Sequence, residues 1–304
     1  MVKEISGVIV PLLTPLIDGA TIDCEAYIKL AGRCAAAGVD AVFLMGTAGE
    51  GYNLATAEKI RGVTAVYQRL HEKIRLIVGV LEPSTNHAIA YIRQMESIGI
   101  HLFAVVPPYY DEVDQIQIIC HYQTIMEAID PQTKILIYNI PGTTGVDILP
   151  ATVKELKKNP RIIGIKNSSP RFEELKELIE TVSDDRFAVF QGYEDMAIAG
   201  LLAGADGIVP CSASLFPEFF VRMVRDAKNH EIARLESMGE IAADLLNMQI
   251  YAKYWLASLK ASGSILKIVS PVVSYPYEKA SPIETEKLRV LVNRLGKEVQ
   301  TLLH

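Results

Sequence analysis

The chain has 304 residues, half of them hydrophobic, which suits one large α/β barrel or two average domains. Its 30 basic and 36 acidic residues give a formal charge of −6, which argues against a nucleic-acid-binding protein. The start, Met1-Val2-Lys3-Glu4-Ile5, does not read as a signal peptide, and the apolar stretch 197–216, broken by Asp206 and several glycines, does not read as a membrane span.

Apolar runs alternate with helical patterns from the first residues to about residue 230. The run 7–12 precedes a helix over 25–37 that Asp23 is placed to cap. The run 39–44 precedes a helix over 55–71 with Thr56 and Glu58 at its start, and 74–80 precedes one over 85–98 behind Ser84. Then come 102–106 with 114–129, 134–138 with 150–158, and 161–166 with 172–181. The runs 187–191 and 207–211, with helices over 195–203 and 217–230, complete eight units. Eight β-then-α units over residues 1–230 predict a closed (β/α)8 TIM barrel; an open doubly wound sheet is the alternative. The first βα loop lacks GxGxxG, which weakens a dinucleotide reading. Residues 231–304 carry helical periodicity only, with breaks at Ser262-Gly263, Pro271, Pro276 and Pro282, and read as a helical extension packed on the barrel.

Cys24, Cys34, Cys120 and Cys211 have no CxxC spacing and read as free thiols in a reducing, cytoplasmic setting. The six histidines form no HxH or HExxH pattern, so nothing recommends a metal site.

Barrel active sites form at the C-terminal ends of the strands. Lys166 ends the apolar run Ile162-Ile163-Gly164-Ile165, where apolar walls strip water from an amine and favour its neutral, nucleophilic form. A lysine capping a strand toward solvent is the plainer reading of that stretch alone. Tyr138 ends the neighbouring strand, so the two side chains can converge, and a phenol both donates and accepts the protons that imine formation moves. Thr47 and Tyr110, also at strand ends, are candidates for a relay. The glycine-rich 46–51 loop is either a backbone nest for a carboxylate or a tight turn.

Together these motifs carry a resemblance that spans the whole chain. Leu13-Thr14-Pro15, Gly46-Thr47-Ala48-Gly49-Glu50, Pro108-Tyr109-Tyr110, Tyr138-Asn139-Ile140-Pro141 and Gly164-Ile165-Lys166 resemble the dihydrodipicolinate synthase and N-acetylneuraminate lyase family of class I, pyruvate-handling lyases. The resemblance implies that Lys166 forms a Schiff base with a 2-oxo acid such as pyruvate, with Tyr138 moving the proton. Thr47 and Tyr110 would complete the relay, Tyr110 reaching in from a neighbouring subunit of a dimer-based tetramer. The N–H groups of Thr47 and Ala48 would hold the pyruvyl carboxylate, and Val209 would offer its carbonyl near the imine. No metal, pyridoxal phosphate or nucleotide is implied, because the imine replaces a zinc Lewis acid.

Two departures bear on the substrate. Ala48 stands where the synthase has a second threonine, and Thr143 stands where it has the arginine that binds the carboxylate of aspartate semialdehyde. The stretch from Gly192 through Glu194 and Asp195 is similar to N-acetylneuraminate lyases, in which an acidic pair contacts sugar hydroxyls; Asp195 reads equally well as a helix cap. Thr143, Thr144 and Ser168 add uncharged hydroxyls. The expectation is therefore a lyase of 2-keto-3-deoxy sugar acids or sialic acids. A dihydrodipicolinate synthase, a deoxy-oxo sugar acid dehydratase and a non-catalytic 2-oxo-acid sensor remain the rivals.

Overall fold

In a computed structural model of the protein, residues 3–303 are described, and eight parallel strands close a barrel in the order β1 to β8. The strands are β1 (Gly7–Pro11), β2 (Ala41–Leu44), β3 (Arg75–Val80), β4 (Leu102–Val105), β5 (Lys134–Asn139), β6 (Ile162–Asn167), β7 (Ala188–Gln191) and β8 (Gly207–Ile208). Helices α1 (Cys24–Ala36), α2 (Thr56–Leu70), α3 (Thr85–Glu96) and α4 (Gln115–Ala128) follow the first four strands. After β5 come the short α5 (Pro141–Thr144) and α6 (Pro150–Leu156), then α7 (Phe172–Val182), α8 (Ala197–Leu202) and α9 (Pro217–Lys228) after the last three strands. Beyond the barrel lie α10 (Ile232–Asn247), α11 (Trp255–Ile265) and α12 (Pro282–Leu303). The open sheet is thus excluded, because β1 pairs with β8 at Gly7↔Gly207 and Val8↔Ile208.

Period-two alternation divides the core. Ile9, Phe43, Leu136, Tyr138 and Phe190 fill the barrel interior, whereas Val8, Val10, Val42 and Ile137 pack outward under the helices. A register shift between β5 and β6 has a consequence for the site. Ile135 pairs with Ile162 but Leu136 pairs with Gly164, so Ile163 is an extra residue in β6. Lys166, not Ile165, then lies level with Tyr138, and Phe190 lies level with Lys166 on the other side.

Some local expectations change. Asp23 caps α1 by accepting from Ala26 N–H at 3.0 Å. Ala55, not Thr56, stands at the N-cap of α2, and Glu58 accepts from Ile22 N–H and Arg61 instead. Ser84 stands at the N-cap of α3 without a side-chain bond to its first turn; its hydroxyl meets His87 Nδ1 at 3.1 Å. Strand β8 stops at Ile208, and Cys211–Ser214 forms a 3-10 turn where a strand was expected to continue. The helix expected from residue 195 begins instead as a 3-10 turn, Glu194–Met196.

Candidate active site

The C-terminal strand ends open into a cavity of about 420 Å³. A larger groove of about 690 Å³, lined by Asp40, Lys73, Arg75 and Lys134 among others, contains none of the candidate residues.

Lys166 enters the cavity from the end of β6, and the residue is only 6% exposed. Its Nζ sits 4.0 Å from the Tyr138 ring centroid and 5.2 Å from that of Phe43. Phe43 in turn packs edge-on to Tyr138, with ring centroids 5.6 Å apart, so the amine rests on an aromatic floor. The Tyr138 hydroxyl lies 3.0 Å from Thr47 Oγ1, which places phenol, hydroxyl and amine in one cluster.

Thr47 belongs to a strained loop. Met45 and Glu50 take left-handed φ values of 55° and 56°, on either side of it. Within the loop, Glu50 N–H donates to Thr47 O at 3.1 Å and Gly51 N–H to Gly46 O at 3.2 Å. The left-handed positions are not the glycines. Gly51 is needed for close approach, since a Cβ there would lie 2.1 Å from Met45 O. Among the described residues, the N–H groups of Thr47 and Ala48 meet no protein acceptor. Ala48 itself is buried in the cavity wall.

The far side of the cavity is acidic and hydroxylated. One Glu194 carboxylate oxygen, Oε2, accepts from Cys211 N–H at 2.8 Å, Ser212 N–H at 3.3 Å and Gln249 Nε2 at 3.1 Å. The other, Oε1, is buried and unpartnered. Burial raises the Glu194 carboxyl above the ordinary range, while the donors on Oε2 pull it back. Burial also pushes the Cys211 thiol up to about 12, with the Glu194 charge adding to it. Asp195 is exposed and lines the cavity, and it caps no helix. Ser168 and Thr143 line the wall, with Ser168 Oγ buried and unpartnered. Gly192 closes the gap beside them, because a Cβ there would sit 2.4 Å from Ser168 Oγ and 2.9 Å from Lys166 Cε.

Three expected site residues do not line the main cavity. Tyr110 is 90% exposed and lies outside the cavity of this chain, whereas neighbouring Tyr109 donates to Leu81 O at 3.0 Å. Thr144 lines a side cavity of about 140 Å³, and its hydroxyl donates to backbone oxygens of Ile140 and Val146. The Val209 residue is buried in the barrel core, its N–H held by Gln191 O at 2.9 Å, and it is absent from the cavity lining. Sequence reasoning missed Leu246, Gln249 and Trp255, which cover the cavity from the helices beyond the barrel. No local motif marks them; only the packing of that region over the barrel mouth does.

A parallel barrel with a buried lysine and phenol and a half-buried threonine at its C-terminal mouth defines the class: a lyase of the class I, pyruvate-dependent aldolase type. The model of the dihydrodipicolinate synthetase family matches residues 4–295, and the chain belongs to that family. It is 28% identical to the 4-hydroxy-tetrahydrodipicolinate synthase of Anaeromyxobacter dehalogenans (strain 2CP-C), over 97% of this chain and 98% of the relative. It is also 28% identical to a probable 2-dehydro-3-deoxy-D-pentonate aldolase of Escherichia coli (strain K12), with the same coverage of 97% and 98%. Among solved structures, the dihydrodipicolinate synthase of Bacteroides thetaiotaomicron superposes with a TM-score of 0.90 at 26% identity, covering 97% of this chain and 100% of that one. Among the described residues no helix is long and apolar enough to cross a membrane.

Proposed function

We propose that the protein cleaves or forms the C–C bond between pyruvate and a hydroxylated, uncharged aldehyde, as in 2-keto-3-deoxy sugar acids or sialic acids. In the cleavage direction, neutral Lys166 Nζ adds to the C2 ketone, and water leaves to give an iminium. The C4 hydroxyl then gives its proton to Tyr138 as the C3–C4 bond breaks, and the bonding pair passes into the iminium. The aldehyde leaves, the enamine takes a proton at C3, and water releases pyruvate. Thr47 and Tyr110 of a second copy complete the proton path, the N–H groups of Thr47 and Ala48 hold the carboxylate, and the Val209 carbonyl steadies the imine. Thr143, Thr144, Ser168, Gly192, Glu194 and Asp195 form or support the acceptor end, with Thr144 acting from the side cavity.

One observation carries the choice of acceptor. Among the described residues that line the cavity, Lys166 is the only cationic side chain, and Glu194 and Asp195 are acidic. A second substrate carboxylate would meet no charged donor and two like charges, whereas hydroxyls would find acceptors and donors. The synthase reading is favoured by the names of most similar relatives, and Thr143 speaks against it.

Pyruvate with borohydride, followed by peptide mass spectrometry, should place an adduct on Lys166. A lactate dehydrogenase-coupled assay should detect pyruvate from 2-keto-3-deoxy sugar acids. An unmodified Lys166 would sink the imine mechanism. Turnover only with aspartate semialdehyde would replace the acceptor reading by the synthase.

A further inference from the structure

The 46–51 loop is held from a distance. Glu50 and Lys260 form an ion pair in which both side chains are completely buried. Glu50 Oε2 accepts from Ser274 N–H at 2.6 Å, whereas Oε1 has only the lysine charge beside it. Lys260 Nζ also donates to Val272 O at 2.8 Å. The pair therefore ties the loop after β2 to α11 and to the segment that follows it. Asn53 Nδ2 donates to Ser274 Oγ at 3.0 Å, and the Tyr52 and Tyr254 hydroxyls meet at 2.7 Å, so the tether continues along the same seam.

A buried ion pair is a poor source of stability, because desolvation opposes the attraction. It can still fix position, because moving either charge off its partner leaves an uncompensated charge in the interior. Here that arrangement fixes a residue in a left-handed conformation whose N–H bonds the carbonyl of Thr47. Thr47 Oγ1, three residues away, reaches the Tyr138 hydroxyl.

We infer that Glu50 and Lys260 are positioning residues: the helices beyond the barrel, acting through this pair, hold Thr47 at Tyr138 in the geometry that proton transfer needs. The inference rests on the reading of Thr47 and Tyr138 as the proton path. Lys260→Met alone would strand a buried carboxylate and risk misfolding. The double variant Glu50→Gln/Lys260→Met removes both charges together and leaves an acceptor for Ser274 N–H.

Three measurements on the full-length double variant test it. Amide hydrogen exchange should quicken about tenfold or more across residues 46–51 while β5 and β6 keep their protection. Borohydride should still trap pyruvate on Lys166. Exchange of the pyruvate methyl protons with deuterated water, which needs a proton to leave C3 of the imine and a deuteron to return, should slow about tenfold. Adding Thr47→Val should slow it little further, because the two changes disable one path. A folded double variant with wild-type methyl exchange, or a loss that simply multiplies with that of Thr47→Val, overturns the inference. If the wild-type protein forms no imine, the preceding reading fails, and the protection of the loop amides alone decides whether the tether exists.

Discussion

Gly192 shows how little room surrounds the amine. Its missing side chain is what lets the β7 end pass Ser168 and Lys166, since a Cβ would lie 2.9 Å from Lys166 Cε. Gly192→Ala should therefore push the lysine off its place over the Tyr138 ring. The expected result is a fall in kcat/KM on the order of a hundredfold with slower borohydride trapping, because displacements near 1 Å carry costs of that size. Near-wild-type turnover would mean that Ser168 yields instead. Lys166, Tyr138 and Thr47 were legible as cavity residues because each stands at or just past a strand end. Glu194 was legible only as a charge. That one of its oxygens would be saturated by Cys211, Ser212 and Gln249 depends on three segments that no local pattern joins.

Among the helices, α3 and α4 meet through a buried histidine. His121 on α4 is 3% exposed, and its Nδ1 lies 2.9 Å from Thr85 Oγ1 on α3. Burial lowers its pKa to about 4. The unfolded chain, with a value of about 6.5, binds the proton first as pH falls. Stability from this group is thus fully present above about pH 6.5 and is lost as pH drops toward 4, by about 3 kcal/mol in all. His121→Gln keeps a polar partner for Thr85 and removes the titration, so its denaturant midpoint should fall less between pH 7 and pH 4.5 than that of the wild type. Equal losses in both proteins would show that carboxylates govern the acid limb. The strand and helix pattern that carries these contacts was readable from periodicity, since burial on one face repeats every two or 3.6 residues. The caps were less readable. Thr56 and Ser84 have the right chemistry, but Thr56 lies inside α2 and the Ser84 hydroxyl is directed at His87.

The molecule as a whole leaves Tyr110 exposed, next in sequence to Tyr109, which lines the side cavity with Thr47, Thr143 and Thr144. We propose that a second copy supplies it, within a dimer-based tetramer. Mixing then becomes the test. Lys166→Arg has no amine for the imine but keeps Tyr110, and Tyr110→Phe has the reverse defect. Refolding the two together should restore activity that neither has alone, through hybrid dimers holding one complete site. No recovery would argue that Tyr110 serves its own chain or no chain. We also propose that the division at residue 230 separates two roles, not two independent units. The barrel (1–230) carries the reacting groups, and the helical region (231–304) carries Gln249 and Trp255 over the cavity and Lys260 beneath the Thr47 loop.

By itself the sequence determined the eight strand-helix units, the residues at the strand ends and, through motifs, the family. These are local properties: alternation, glycine and proline breaks, and short spacings all act within a few residues. Tertiary structure alone decided that Ile163 is extra in β6, which sets Lys166 level with Tyr138. It also decided that Glu50 is bound to Ser274, 224 residues away, and to Lys260. Register and burial of charge depend on what the rest of the chain brings alongside. A lysine at the end of one apolar strand becomes a buried amine against an aromatic ring only when a second strand, a loop and a distant helix close around it.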